Sequence, residues 1–355
     1  MATLSVCMIV KDECEVLDRI LRQAQDFADE IIVVDTGSND NTKDIAYKYT
    51  DKVYDFDWVD DFSLARNYSF NQANCDYIMW LDADDIIQDD VVNRIKTYMK
   101  NIQCDTVMCP YYADVSSSGK VNFWYYRERI VRRCEFAKWV GFVHEVIVPF
   151  GQIDYKEDII IQHAKEKVST GRNLQLYRKH IARGVQLDTR HLYYFARELY
   201  YNGALEESLN VLDNFFNRKD GFAPNVMDAY VLASDISAML GNNLRSEYYL
   251  FEALKIGVPS GALCVKLGNL FFNKFAYESA IFWYESALRE RQDNKNGAFY
   301  DVNLCRITPA LQLCVCYYRI GNKARSKRYN DYVLEIDDTN ASALYNKQLF
   351  VSEKD

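Results

Sequence analysis

The sequence predicts an α/β domain with a largely parallel sheet between helices, followed by an all-α region of helical repeats. In the first half, short β-rich runs alternate with helical patterns, which is typical of strand–helix units that build a parallel sheet. From about Gly171 onward, helical patterns follow one another almost without interruption. At 355 residues the chain is also too long for one ordinary core. We therefore expect two domains, residues 1–180 and residues 181–355.

The first half contains the predicted strands and the helices between them. The strands are Leu4–Val10, Glu30–Asp35, Val53–Phe56 and Asp76–Leu81, with further β-rich stretches at Thr106–Tyr112 and Val121–Arg133. The helical patterns are Val16–Ala28, a segment from Thr42, Asp61–Ala73, and a segment from beyond Gln88 to about Lys100. In the first helix, apolar residues recur at helical spacing, which predicts one buried face.

Four related segments recur in the second half, each after a helical run rich in Leu and aromatic residues. They are GALEES from Gly203, GNNLRS from Gly241, KFAYES from Lys274 and GNKARS from Gly321, and they open helices that end near Phe215, Leu254, Leu288 and Ile336. The spacings are 38, 33 and 47 residues, and the second is close to the roughly 34 residues of a tetratricopeptide helix pair. We interpret these segments as degenerate repeats, in which the many tyrosines fill space between stacked helices rather than bind carbohydrate.

Composition and charge argue against several function classes. The formal net charge is −9 and no long Lys/Arg run occurs, so nucleic acid is not expected as the main partner. No apolar stretch approaches the roughly 18 residues of a membrane span. The ten cysteines include no CxxC pair and there are only four histidines, so a zinc cluster is not indicated and no disulfides are needed. We expect a cytoplasmic setting.

The segment WLDADD, Trp80–Asp85, carries the clearest chemical signal. An apolar strand places Asp82 and Asp84 at its carboxyl end, where open α/β sheets bind their ligands. Two carboxylates separated by one residue can share a divalent cation and a sugar phosphate, and oxygen ligands of this kind suit Mg²⁺ or Mn²⁺. Because acids are common after strands, this motif alone is weak evidence, and its neighbours have to support it.

The segment EIIVVDTGSNDNT places Asp35 at the end of another strand. A carboxylate there can accept hydrogen bonds from a nucleobase or a ribose, although it can also serve only to cap the loop. No GxGxxG follows the first strand and no GxxxxGK[ST] occurs in the chain. Neither a dinucleotide-binding fold nor a P-loop is therefore indicated.

Five motifs in order now resemble a known family. LSVCMIVKDE, IIVVDTGSNDNT, WVDDFSLARNYSF, WLDADD and WVGFVHE are similar to segments of family 2 glycosyltransferases, which have the GT-A fold. The likeness is greatest to bacterial members with a C-terminal tetratricopeptide-like region. It covers roughly residues 3–175 well and the repeats more loosely. The resemblance implies a GT-A domain that binds a nucleotide-activated sugar, followed by the helical repeats.

The resemblance also implies a donor site for a UDP-sugar. Asp35 corresponds to the acid that reads the uracil ring, with Val10 beside it, and Glu13 corresponds to an acid near the nucleoside. Arg66 and Asn67 would direct a cation toward the base or the diphosphate. Asp82 corresponds to the ribose-facing acid. Arg132, in the β-rich stretch that also contains Arg129, is assigned to the same site.

The metal and the base are assigned by the same resemblance. Asp84 corresponds to the ligand of Mn²⁺ or Mg²⁺, while the third acid, Asp85, leaves the division of labour among the acids open. His163 could complete the metal shell, and a buried, hydrogen-bonded histidine is the alternative. Glu145 fits the acid that deprotonates the acceptor hydroxyl, and an exposed acid without a catalytic role is the alternative. Trp139 either lines the acceptor side or belongs to the core.

The resulting hypothesis is an inverting, metal-dependent glycosyltransferase with a protein or peptide acceptor, such as a surface or flagellar protein, held by the repeats. N-acetylglucosamine and glucose are the first sugars to consider. One alternative uses the same donor chemistry to build a cell-surface glycan. Another is a repeat-based interaction protein whose transferase domain has lost activity. Homodimerisation is left open.

Overall fold

The computed structural model describes residues 2–116, 119–164, 171–289, 295 and 297–352. The chain divides into two compact units, Met1–Leu176 and Tyr177–Asp355. The first unit contains a mixed sheet with helices on both faces, and the second consists mainly of antiparallel helix pairs. The predicted architecture, an α/β domain with a largely parallel sheet followed by an all-α repeat region, is confirmed.

The elements up to residue 182 include the predicted ones in the predicted order, with ends that differ by a few residues, together with short strands that the sequence does not predict. They are β1 (Leu4–Val10), α1 (Leu17–Gln25), β2 (Glu30–Asp35), α2 (Thr42–Ala46), β3 (Val53–Asp55), α3 (Phe62–Asn71), β4 (Tyr77–Trp80), β5 (Asp85–Ile86), α4 (Asp89–Met99), β6 (Thr106–Val115), β7 (Val121–Arg132), β8 (Trp139–Val140), β9 (Val146–Ile147), β10 (Ile153–Tyr155), β11 (Ile161–His163) and α5 (Arg172–Ala182). The last helix crosses from the first unit into the second after Leu176.

The strands of the main sheet lie in the order β3-β2-β1-β4-β7-β6-β11-β5. The first four are parallel, β7 is antiparallel to both β4 and β6, and β11 is parallel to β6. Strand β10 adds to β6 in parallel, and β5 closes the order antiparallel to β11. Strands β8 and β9 form a separate antiparallel hairpin. The carboxyl ends of β1, β2 and β4 therefore meet at one edge, which we call the carboxyl edge.

Both faces of this sheet are covered by apolar side chains. One cluster packs α1 and α4 against β1 through residues such as Leu17, Ile95 and Met8. The opposite cluster packs α3 and the β8–β9 hairpin against the sheet through Phe70 and Trp139. Burial on both faces explains why β1 and β2 are continuous apolar runs instead of alternating ones. It also fixes the strand ends that carry the polar residues of the carboxyl edge.

The second unit is built from helices joined by short turns. They are α6 (Thr189–Tyr201), α7 (Leu205–Phe216), α8 (Ala223–Met239), α9 (Asn243–Ala253), α10 (Gly261–Asn273), α11 (Tyr277–Leu288), α12 (Thr308–Arg319), α13 (Lys323–Ile336) and α14 (Ala341–Ser352), with the short strand β12 (Tyr300–Asp301) and a π-helix at Asn303–Ile307 before α12. The four recurring segments open α7, α9, α11 and α13, as predicted. The longer spacing before GNKARS contains β12 and the π-helix.

Buried tyrosines join neighbouring helix pairs through charged partners. The hydroxyl of Tyr249 donates to Asp213, and Arg245 donates to both that hydroxyl and the Asp213 carboxylate, at 2.8–3.0 Å. A similar group joins α6 to α8 through Tyr193, Arg197 and Asp228. These tyrosines therefore fill space with their rings and satisfy their hydroxyls, which agrees with the packing interpretation. Within the described residues, no helix is long and apolar enough to cross a membrane.

Candidate active site

The acids that follow β2 and β4 lie together at the carboxyl edge. Val10, the last residue of β1, is paired with Asp35, the last residue of β2. On the other side of β1, the amide of Leu81 donates to Cys7 at 3.2 Å, which carries the chain directly into Asp82. The parallel register thus brings Val10, Asp35 and Asp82 to the same edge, as expected from the motifs.

Asp35 shapes the loop that follows it and keeps one oxygen open. Its Oδ1 accepts the amide hydrogens of Gly37 and Ser38 at 2.9 and 2.8 Å. Gly37 has φ +101°, a conformation that a residue with a Cβ rarely adopts. Oδ2 is buried and has no hydrogen-bond partner in the described part of the chain. Asp35 therefore caps its loop with one oxygen and presents a second, buried acceptor.

The loop after β1 is bonded to the loop after β2. The amide of Asp12 donates to Ser38 at 2.9 Å, and the amide of Asn39 donates to the Asp12 carboxylate at 2.7 Å. The amide of Glu13 donates to Thr42 at 2.8 Å, so Glu13 lies beside the start of α2. These bonds hold two irregular segments as one surface next to Asp35.

A second group of acids meets a histidine where β5 pairs with β11. The pairing sets His163 opposite Asp85, and ligand atoms of Asp84, Asp85 and His163 all lie within 4.8 Å of one another. Nδ1 of His163 is 3.3 Å from Asp84 Oδ1 and 4.0 Å from Asp85 Oδ1. Neither Nδ1 nor Asp85 Oδ1 has a hydrogen-bond partner among the described residues, although both are buried. Two carboxylates and one imidazole are an appropriate set for a divalent cation.

Arg129 supports this group from inside the sheet. Its guanidinium is fully buried, donates to Asp85 Oδ2 at 2.9 Å and to the Trp80 carbonyl at 3.2 Å, and lies 3.6 Å from the centre of the Trp80 ring. Asp85 Oδ2 also accepts the amide hydrogen of Asp82 at 3.0 Å. Removing one partner of a buried ion pair commonly costs about 3–5 kcal/mol, so this pair fixes the turn from Asp82 to Asp85.

Burial and neighbouring charge move the pKa values of this group in different directions. Burial raises the pKa of the Asp85 carboxyl, Arg129 opposes that effect, and Asp82 reinforces it. Burial would also raise the pKa of Asp82, but the guanidiniums of Arg66 and Arg129 outweigh it and lower that pKa to about 2. The pKa of His163 is raised overall, because the acids around it outweigh the effect of burial. A carboxylate at Asp82 therefore persists at neutral pH.

Arg66 joins the strand-end acids to the predicted base. Its Nη2 donates to Asp82 Oδ1 at 2.8 Å and its Nε donates to Glu145 Oε1 at 2.7 Å. The guanidinium lies over the rings of Trp80 and Trp139, at 5.1 and 4.7 Å from their centres. Such cation–π contacts add roughly 0.5–2 kcal/mol each. Arg66 thus sets the spacing between Asp82 and Glu145 across the site.

Glu145 lies at the end of the loop between β8 and β9. Its carbonyl accepts a hydrogen bond from Arg127 at 3.2 Å, and its carboxylate is largely buried. Arg66 donates to Oε1 of Glu145, and among the described residues no hydrogen bond to Oε2 is found. The structure therefore brings Glu145 to the same cluster as Asp82, with one carboxylate oxygen uncommitted.

Two predicted roles need correction, and for Trp139 the structure selects one of the two predicted alternatives. Arg132 is paired with Tyr77, the first residue of β4, and donates to Asp105 at 2.7 Å, so it lies at the opposite end of the strand from the site. Asn67 bonds the main chain of Trp139 and does not point toward a donor. Trp139 is 1% exposed and packs against Trp80 and Phe70, which makes it a core residue.

The sequence assigns no role to Arg127 or Arg129 and leaves the role of Asp85 among the acids open. Asp85 was visible as the third acid of WLDADD, and the two arginines alternate in YYRERIV. Nothing in the local pattern distinguishes an arginine that is buried beside the acids from one at the other end of the strand. Only the pairing of β7 with β4 and β6 makes that distinction.

The chain is similar in sequence to known glycosyltransferases and to a repeat-containing protein. Residues 5–149 match the family model described as Glycosyl transferase family 2. The chain is 24% identical over 265 residues to the SPbeta prophage-derived glycosyltransferase SunS of Bacillus subtilis, covering 70% of this chain and 62% of that protein. It is 51% identical over 85 residues to a TPR repeat-containing protein of Synechococcus elongatus, covering 24% of this chain and 21% of that protein. The chain thus spans less than two thirds of these relatives' own length.

Among solved structures, S. aureus TarS 1–349 in complex with UDP matches with a TM-score of 0.40 and 15% identity, over 70% of this chain and 89% of that chain. The five motifs and the family model cover nearly the same residues. The amino-terminal part of the chain, residues 5–149, is therefore a glycosyl transferase family 2 domain, and a helical repeat region follows it.

Proposed function

We propose that the protein is a metal-dependent, inverting glycosyltransferase that moves a sugar from a UDP-sugar to a protein or peptide. One observation carries the proposal: buried polar atoms without partners among the described residues gather at the carboxyl edge. They include Asp35 Oδ2, Asp85 Oδ1 and Nδ1 of His163. Buried polar atoms are normally paired, so this concentration supports a polar ligand that completes them.

The donor's uridine is assigned to the ends of β1 and β2. The open Oδ2 of Asp35 suits the N–H donor of a uracil ring, since its other oxygen already holds the loop. Val10 and Glu13 border the same surface. Asp82 is assigned to the ribose, because its low pKa keeps it an acceptor for hydroxyl groups at neutral pH. Arg66, bonded to Asp82, adds positive charge beside the assigned position of the diphosphate.

Asp84, Asp85 and His163 fit the residues that would hold the metal. Their two carboxylates provide oxygen ligands that suit Mn²⁺ or Mg²⁺, with one imidazole beside them. The surrounding cluster of described residues has two more carboxylates than guanidiniums: Asp82, Asp84, Asp85, Glu128 and Glu145 against Arg66, Arg127 and Arg129. A divalent cation bound there would supply positive charge opposite the leaving diphosphate.

Glu145 is assigned as the base for the acceptor. Oxygen of the acceptor forms a bond to the anomeric carbon while the bond from that carbon to the UDP oxygen breaks, and its electron pair leaves with the diphosphate. The acceptor's proton passes to Glu145, whose Oε1 is held by Arg66. Attack from the face opposite the leaving group inverts the configuration. The hairpin geometry supports the assignment, because it sets the carboxylate beside Asp82.

The helical repeats are assigned to the acceptor. A sugar-transfer domain of this kind does not need a second unit of this size, and helical repeats commonly hold protein segments. Leu244, Tyr248 and Phe251 lie at i, i+4 and i+7 along α9 and are exposed, Leu244 by 85%. Such a one-sided apolar stripe suits a peptide contact. If the acceptor were a cell-surface glycan, alanine substitutions along this stripe would leave transfer unchanged.

A panel of UDP-sugars and GDP-sugars with Mn²⁺, scored for nucleotide release, tests the proposal. UDP-N-acetylglucosamine and UDP-glucose are the first candidates, with EDTA as the control. Release of UDP that requires the metal supports the donor chemistry. A chain that releases neither UDP nor GDP from any sugar would instead be a repeat-based binding protein with an inactive transferase domain.

A further inference from the structure

We propose that Asn67 is a positioning residue for Glu145 and acts through the main chain of Trp139. The proposal rests on the role proposed above for Glu145. The side chain of Asn67 accepts the amide hydrogen of Trp139 at 2.9 Å and donates to its carbonyl at 2.9 Å. One side chain therefore satisfies both main-chain groups of one residue, as a neighbouring strand would.

The hairpin that Asn67 contacts is too short to hold itself in place. Its ladder consists of two residue pairs, Trp139 with Ile147 and Val140 with Val146. Isolated two-stranded hairpins are marginal in water even when they are longer. The loop between the strands also contains His144 at φ +51°, in the left-handed region that non-glycine residues seldom occupy. External contacts must therefore fix this segment.

Those contacts come from both sides of the hairpin. On the β9 side, the amide of Ile147 donates to the buried carboxylate of Glu128 at 3.2 Å. At the loop, the amide of Phe62 donates to the carbonyl of Phe142 at 3.0 Å. On the β8 side, Asn67 supplies the side-chain bonds to the main chain of Trp139. Without Asn67, strand β8 keeps the packing of the Trp139 indole but loses the hydrogen bonds that fix the position and direction of its main chain.

Asn67 is adjacent in sequence to the residue that binds the carboxylate. Arg66 donates to Glu145 Oε1 at 2.7 Å, and both residues lie on α3. Helix α3 therefore bonds the start of the hairpin through Asn67 and the carboxylate of Glu145 through Arg66. Because Trp139 and Glu145 belong to the same short hairpin, a shift of its first strand moves the carboxylate relative to Arg66 and Asp82. Small misplacements of a reacting group can lower a rate by about 10²-fold.

Substitutions at Asn67 test this proposal with a matched control on the same helix. Asn67→Ala removes both bonds, and Asn67→Asp keeps the shape but cannot donate to the Trp139 carbonyl. Asn71→Ala is the control, since Asn71 is exposed at the end of α3. Release of UDP from UDP-N-acetylglucosamine and UDP-glucose is measured with Mn²⁺ and water as acceptor. We expect both Asn67 variants to lose about ten- to a hundredfold in kcat with the donor KM within about twofold, and Asn71→Ala to match the wild type.

A double-mutant cycle with Glu145→Gln separates this proposal from the function on which it rests. If Asn67 acts through Glu145, Asn67→Ala costs nothing further once the base is gone. If the kcat losses of the two single variants multiply in the double variant, the positioning role is overturned. It is also overturned if Asn67→Ala has a normal kcat while Glu145→Gln is inactive. A Glu145→Gln variant with wild-type kcat would overturn the base assignment and, with it, this inference.

Amide hydrogen exchange provides a readout that does not depend on turnover. Asn67→Ala should accelerate exchange in residues 139–147, while peptides from β1 and β2 keep their wild-type rates. Unchanged exchange in the hairpin would contradict the proposal even if activity fell. Accelerated exchange throughout the first unit would assign Asn67 a general structural role and would also contradict it.

Discussion

Strand β2 has a buried acid at each end, and the two acids have different surroundings. Glu30, at the amino end, accepts hydrogen bonds from Ser5, Lys52 and both the main chain and side chain of Asn74. Asp35, at the carboxyl end, has one oxygen bonded to its loop and one without a partner among the described residues. Both are less than a tenth exposed, so burial does not explain the difference.

The arginines of β7 repeat this contrast. Arg132, at the amino end of β4, is bonded to Asp105 and to the Gln103 carbonyl. Arg129, beside the carboxyl edge, is completely buried, yet its Nε and Nη2 have no hydrogen-bond partner in the part of the chain described. An unsatisfied buried polar group costs about 1–3 kcal/mol. In both comparisons the polar groups away from the carboxyl edge are fully paired and those beside it are open, as the proposed ligand site requires.

This comparison leads to predictions in which open groups control turnover and saturated groups control stability. The largest effect is expected for Asp84→Ala. Loss of a proposed metal ligand should lower Mn²⁺-dependent UDP release by about 10³-fold, while the melting temperature changes little because Asp84 lies in a turn and is partly exposed. Thermal melts and nucleotide-release assays are the measurements. Asp89→Ala, an exposed acid nearby, is the control, and an equal loss there would assign the effect to general charge.

The next effect concerns the proposed base. Glu145→Gln keeps the shape of the side chain and removes the proton acceptor, so UDP release should fall by about 10²-fold while UDP affinity persists. Steady-state kinetics measure the UDP release, and calorimetry measures the UDP affinity. Near-normal release would point to another acid of the cluster.

At the saturated end of β2, the expected effect is on stability and depends on pH. Burial would raise the pKa of Glu30, but the bonds from Asn74, Lys52 and Ser5 outweigh it and lower the pKa to about 2. Its stabilisation is therefore present above the unfolded value near 4.3 and is lost as the pH falls from there toward 2. Solvent screening weakens the contribution of the exposed Lys52. Between pH 6 and pH 3, the free energy of unfolding of the wild type should therefore fall by about 1–2 kcal/mol more than that of Glu30→Gln.

Urea unfolding at the two pH values measures that difference. UDP release by Glu30→Gln at neutral pH should match the wild type, because Glu30 lies at the other end of the strand. A pH-independent gap between the two proteins would contradict the ion-pair account.

The smallest effect is expected in the repeats. Tyr249→Phe removes the hydroxyl that donates to Asp213 and accepts from Arg245, which should cost about 1 kcal/mol, with UDP release unchanged. Tyr248→Phe, at an exposed neighbouring tyrosine, is the control and should cost nothing measurable. Reduced UDP release in Tyr249→Phe would contradict the separation of roles.

Much of the fold could be predicted from local pattern, because apolar runs, helical spacing and acids at strand ends are encoded in short segments. The choice between Arg129 and Arg132 could not be predicted. Val107 pairs with Ile130 and Met108 with Glu128, so Arg129 is the extra residue of a β-bulge. A bulge breaks the alternation of side chains along a strand, and a sequence read by alternation cannot locate it. The role of Asn67 also depends on a contact 72 residues away.

The account's central claim is that the open polar atoms of the carboxyl edge form a site for a metal and a uridine diphosphate. Calorimetric titration of UDP into the intact chain tests it most directly, in Mn²⁺ and in EDTA, with Asp84→Ala beside the wild type. We expect one UDP per chain in Mn²⁺, an affinity at least about tenfold weaker in EDTA, and an Asp84→Ala variant that no longer responds to Mn²⁺. Absence of UDP binding, or an affinity that is the same in Mn²⁺ and EDTA, would contradict the account.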